Sequence, residues 1–193
     1  MIGSSHGFDF TAAIRRLCSD MVRRLDVLGH IDMERVATSL CQTRRKTSFG
    51  LYASLTPLKF QAGADERVIG DRRYGAGRLC DAEGREFLYL LSFYLPRFQN
   101  LSLEEKLSTV VHELWHINPG FDGDLRRHEG RCYAHGPSQR QYDSQMDRLA
   151  QRWLSLDPPG HTYEFLMADF DELVAEHGKV VGTHWPTPRL LPL

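Results

Sequence analysis

Apolar residues recur every three or four positions between Thr11 and Gly29. Ile14, Leu17, Cys18, Met21, Val22, Leu25 and Leu28 form one stripe of an amphipathic helix, with Asp9 or Thr11 available as its cap. The next pattern is different. "GLYASLTPLKF" (50–60) mixes aromatic and β-favouring residues, follows a glycine and contains Pro57, which predicts an edge strand bent or ended at the proline. "QAGADERVIGDRRYG" (61–75) is polar and broken by glycine, and reads as a loop. "RLCDAEGREFLYLLSFYLP" (78–96) then predicts a hairpin with its turn at Asp81–Gly84. The second arm, 87–95, is almost continuously apolar, as in a strand covered on both faces, and Pro96 ends it.

Ser102 followed by Glu105 is a capping-box pattern. Leu107, Val110, Val111 and Leu114 keep helical period up to a stop at Asn118-Pro119-Gly120. A further helix is expected from Pro137, with Tyr142, Met146, Leu149, Ala150 and Trp153 inward, until "DPPG" (157–160) breaks it. A last helix is expected over 163–177, closed by Gly178, and the tail offers one short strand and a proline-containing end.

Composition narrows the class. The 193 residues are 41% hydrophobic and 25% charged, the balance of a folded chain with one sizeable core. The net charge of -1 gives no global attraction to nucleic acid or to anionic membrane. Its distribution is uneven: residues 1–60 carry nine Lys/Arg against five Asp/Glu (+4), and the remainder fifteen against twenty (-5). Arg15, Arg16, Arg23, Arg24 and the run Arg44-Arg45-Lys46 make up much of that excess, which most simply marks solvated faces. Cys18, Cys41, Cys80 and Cys132 stand far apart and read as reduced thiols. With no basic-then-apolar leader and no long apolar run, a cytoplasmic protein without a membrane partner is expected.

Four of the nine histidines fall within "VVHELWHINPGFDGDLRRHEGRCYAHG" (110–136), which contains His112-Glu113-Leu114-Trp115-His116. Four helical residues advance about 6 Å and rotate about 400°, so both imidazoles leave one face and can meet one ion. A carboxylate one residue from the first histidine can reach a water on that ion. The predicted apolar stripe puts both histidines beside the core face, where an unsatisfied imidazole is costly. A third ligand is needed for a catalytic zinc. His128 and His135 both qualify, with Asp122 and Asp124 as carboxylate alternatives, although Asp122-Gly123-Asp124 more simply reads as turn chemistry. Tyr133, Arg126, Arg127 and the unused histidine are candidates to stabilise an oxyanion. A strand edge from residues 86–95 would hold an extended peptide beside the helix.

"VVHELWHI" followed by "FDGDLRRH" resembles a family of small metallopeptidases found in archaea, bacteria and phages. "HIDMERV" and the strand before "LSLEEKLSTVV" extend the likeness over about residues 29–135. The resemblance implies His112, His116 and His128 as zinc ligands, Glu113 as general base, and a protein or peptide substrate. "HGPSQRQY" at His135 is similar instead to zinc peptidases of the SprT type, which would make His135 the third ligand and DNA-associated proteins the substrate. The leading expectation is an α+β chain forming one zincin-like domain over 1–193. Its core would span about 9–178 and its extended tail 179–193, with a small mixed or antiparallel sheet packed by helices and the HExxH on the active helix. A non-catalytic protein with a closed structural zinc site is the rival from another class. It would need both His128 and His135, or Cys132 with one of them, and would have no use for Glu113.

Overall fold

The computed structural model describes residues 7–43, 50–127 and 139–193. Its first helix, α1 (Phe10–Arg24), is capped by Asp9, whose Oδ1 accepts from the Ala12 amide. The predicted stripe is its inner face, and Phe10, Ile14, Leu17, Cys18 and Met21 are fully buried. The α-helix ends one turn before the expected Gly29, and residues 26–28 continue as a 3-10 turn.

Three strands make the principal sheet. The order is β2 (Val36–Gln42), β6 (Tyr89–Leu95), β3 (Ala53–Pro57), numbered in chain order with β1, β4 and β5 given below. β2 runs parallel to β6 from Val36 opposite Tyr89 to Gln42 opposite Leu95. β3 runs antiparallel to it, from Ala53 opposite Phe93 to Pro57 opposite Tyr89. The continuous apolar run of β6 is explained by this central place, covered on both faces. The expected edge at 86–95 is therefore corrected: the edge belongs to β3. The sequence reading assigned no strand at 36–42, where Thr38 and Ser39 interrupt the apolar run although both are buried.

The other edge, that of β2, is closed by the tail. Leu40 N donates to Thr183 O at 2.8 Å, and Trp185 N donates to Ser39 Oγ at 2.9 Å. Trp185 also meets Phe87 edge to face. Before this strap, β1 (Phe8–Asp9) pairs in parallel with β7 (Val180–Val181). After it, β8 (Leu190–Pro192) pairs with β5 (Arg72–Ala76), which pairs with β4 (Glu66–Ile69). The expected loop at 61–75 is thus a hairpin turning at Gly70, where φ is +61°. Every residue of β4 is exposed, so no apolar alternation announced it. The expected 78–96 hairpin is reduced to a Cys80–Glu86 bridge around the Asp81 turn.

Helices cover the sheet. α2 (Leu103–Trp115) begins with the capping box, Ser102 and Glu105 each accepting the other's backbone amide. α3 (Gln139–Ser155) packs along α2 and is anchored to α1 by Trp153 Nε1, which donates to buried Asp20 at 3.0 Å. The expected last helix divides into a 3-10 turn at 164–166 and α4 (Phe170–His177), because Asp169 caps a new start. Lys106, 2% exposed on α2, donates from Nζ to Leu166 O and Ala168 O, and fastens this segment to the helix. Mixed and antiparallel sheets packed by helices make the chain α+β. No helix among the described residues is long and apolar enough to cross a membrane.

Candidate active site

α2 carries His112 and Glu113, and His116 is its C-cap. His116 keeps helical dihedrals (φ -67°, ψ -15°), so the alignment of the two histidines survives the end of the helix. Their ring centroids are 4.7 Å apart, edge to face. Leu107, Val110, Val111 and Leu114 are fully buried, and the two half-buried imidazoles stand beside them. Glu113 is 8% exposed, and burial pushes its carboxyl up to about 7. The opposing influence is the backbone amide of Leu55, on β3.

The strand register explains how that amide is available. Tyr94 N donates to Tyr52 O and Leu58 N to Leu88 O, so even-numbered residues of β3 exchange bonds with β6. Odd-numbered residues turn their amides and carbonyls outward. Past Pro57 this outer edge is covered, since Lys59 N donates to Gly123 O. At Ala53 and Leu55 no strand pairs with it among the described residues. A cleft of about 1000 Å³ opens there, bounded by Gly50–Ala53, by the α2 face that carries Ser108, His112 and Glu113, and by the α3 face that carries Asp143, Met146 and Asp147.

The chain matches no protein family profile, no curated protein and no solved structure. The site therefore stands on its own geometry.

The loop after α2 is tied back to the helix end. Ile117 bridges Leu125, Arg126 N donates to His116 O at 2.7 Å, and Arg126 Nε donates to Trp115 O at 2.8 Å, its guanidinium 4.1 Å above the Trp115 ring. A cation over the last carbonyls complements the helix dipole. Tyr89 holds the loop from below: its hydroxyl donates to Asp124 O and accepts from Gly123 N, and burial pushes its pKa up to about 12.

Asp122 and Asp124 are committed to this turn. Asp122 Oδ1 accepts from Asn118 Nδ2 and the Asp124 amide, while the Asp124 carboxylate accepts from the Ala62 and Leu125 amides and pairs with Arg127. Among the described residues no group of three His, Cys, Asp or Glu side chains is placed to hold a metal. His128, Cys132, Tyr133 and His135 lie outside the described residues.

One residue assigned only a packing role from sequence enters the site. Tyr142, 5% exposed on α3, stands edge-on to His112 with 5.0 Å between centroids and stacks on His116 at 6.0 Å. Burial is the main cause of its raised pKa, with the Glu113 carboxylate adding to it. Its helical spacing with Met146 and Trp153 is that of any core residue, and only the packing of α3 against α2 brings it to the imidazoles.

Proposed function

We propose that the chain is a zinc-dependent peptidase of the zincin type, acting on an extended peptide. One arrangement carries the reading: two imidazoles 4.7 Å apart and a buried carboxyl, all beside the open edge of a strand. The donor set fits a catalytic zinc. His112 and His116 supply two neutral nitrogen ligands from one helix face, and His128 would complete a set of three and leave one position for water. A zinc so held would supply a water of lowered pKa and polarise the scissile carbonyl.

The chain's own groups would do the rest. Glu113, buried one residue from His112, takes the proton of the attacking water and returns it to the leaving amine. Ala53, with its amide and carbonyl turned outward, pairs with the peptide backbone as an added strand. Tyr142 is the described residue closest in role to an oxyanion donor, since Arg126 is bonded to the helix end and Arg127 to Asp124. A role on DNA-bound proteins gains no support from α1, whose Arg15, Arg23 and Arg24 are ion-paired with Glu34 and Asp20.

The test is cleavage of a mixed peptide library by the zinc-replete protein, read by mass spectrometry beside elemental analysis. Wild type is expected to hold one zinc and cleave, and Glu113→Gln to hold zinc and lose at least about a hundred-fold in rate. A wild type that binds no zinc, or a Glu113→Gln protein as active as wild type, overturns the proposal.

A further inference from the structure

Among the described residues, the charged side chains that line the cleft are acidic, Arg44, Arg45 and Lys46 lying outside the described residues. Glu104, Glu105 and Glu113 line it from α2, and Asp143 and Asp147 from α3. No Lys or Arg is part of that lining among the described residues. Arg97 is held against the rim backbone, its guanidinium packed on Gly50 and its Nη1 donating to Leu51 O at 3.4 Å. The acidic groups alternate with an apolar floor of Leu51, Ala53, Leu101, Met146 and Ala150. At its inner end stands the Glu113 carboxyl, nine-tenths buried beside the Leu55 amide.

The positions are ordered along the groove. His112 meets Tyr142, and Ser108 Oγ donates to Asp147 Oδ1 at 2.7 Å, so α2 and α3 run antiparallel, and Asp147 lies about one turn of α2 from His112. Glu104 is a further turn out. At about 1.5 Å per helical residue, Ser108 and Glu104 stand about 6 Å and 12 Å along the axis from His112. An extended peptide advances about 3.3 Å per residue, so these groups meet residues about two to four positions from the bond beside Glu113.

We infer that this groove selects peptides carrying a lysine or arginine two to four residues from the bond that is cut, with Asp147 and Glu104 as the principal acceptors. A basic residue places its aliphatic stem on the apolar floor and its charge among the carboxylates. An acidic residue at the same place meets only like charge. The inference rests on the peptidase reading for the position of the cut, and names the substrate class of the same site.

The test separates binding from cleavage. Labelled ten-residue peptides with one Lys, or one Glu, moved along an alanine-rich frame are titrated by anisotropy into zinc-loaded Glu113→Gln protein. They are assayed for hydrolysis by wild type in parallel. Lys is expected to bind about ten-fold tighter than Glu at the selected positions, an advantage that shrinks at high salt. Adding Asp147→Asn and Glu104→Gln should bring the two within about two-fold, while the equal charge change of Glu83→Gln with Glu176→Gln, neither part of the cleft lining, should preserve the preference. Equal binding of Lys and Glu peptides, or an equal loss in the distant double variant, overturns the inference. A basic preference in binding without any hydrolysis leaves it standing and sinks the peptidase reading; hydrolysis with no charge preference does the reverse.

Discussion

The phenol of Tyr142 meets the imidazole of His112 edge to face, 5.0 Å between centroids, across the contact of α3 with α2. Two chemistries are combined in that ring: it packs against both histidines, and its hydroxyl adjoins the groups that would act on a substrate. The two are separable. Tyr142→Phe keeps the packing, so thermal stability should hold within about 1 kcal/mol while kcat falls about ten- to a hundred-fold with little change in KM. Tyr142→Ala should cost about 3 kcal/mol as well, as for other buried aromatics. Steady-state kinetics beside calorimetric melting checks both.

Glu113 makes the metal-free protein pH-sensitive. Its folded carboxyl is raised from 4.5 to about 7, so between those values the folded state holds more protons than the unfolded one. Its contribution is fully present below about pH 4.5 and is lost as the pH climbs through about 7. At 1.36 kcal/mol per unit the change is about 3 kcal/mol. Urea unfolding of chelated protein across this range should show wild type weakening relative to Glu113→Gln as pH rises. Because both proteins share His112 and His116, the difference isolates the carboxyl. Parallel pH profiles would contradict it.

What the sequence disclosed and what it concealed follow from the kind of contact involved. Local signals were legible: Asp9 as the cap of α1, the Ser102–Glu105 box, and the spacing of His112 and His116 on one helix face. Pro57 marked an edge strand correctly, since that strand has no use for an amide there. Long-range pairings left no such trace. β4 is exposed throughout and β5 only partly buried, and β5 takes β8 from the far end of the chain, so no apolar period betrayed them. β6 could be recognised as buried, but its place between β2 and β3 is a matter of topology, and with it the identity of the open edge. Tyr142 was legible as a core residue only, because its neighbours belong to another helix. Lys106 in the core went unremarked, as a charged residue earns burial only through carbonyls supplied from elsewhere.

Those carbonyls make Lys106 a stability test. Its Nζ donates to Leu166 O at 2.7 Å and Ala168 O at 3.0 Å, and burial lowers its pKa. Lys106→Met keeps the stem and strands both acceptors. The expected loss is about 1–3 kcal/mol in urea unfolding with an unchanged m value. Zinc content should be unaffected, since the lysine lies on the early turns of α2, away from the histidines. A variant as stable as wild type would mean that water replaces the ammonium there.

The third ligand of the proposed site is checked by one measurement. Arg126 N is 2.7 Å from His116 O, so the chain is pinned to the end of α2 at Arg126, two positions along the sequence from His128, and the proposal takes His128 rather than His135 as the third ligand. Zinc should therefore be lost from His112→Ala, His116→Ala and His128→Ala, and retained by His135→Ala and Glu113→Gln, when each is dialysed against a weak chelator and assayed by elemental mass spectrometry. Zinc lost from His135→Ala and kept by His128→Ala would reverse the assignment and favour the SprT-like arrangement. Loss from both would indicate four protein ligands and a closed, structural site with no position for water.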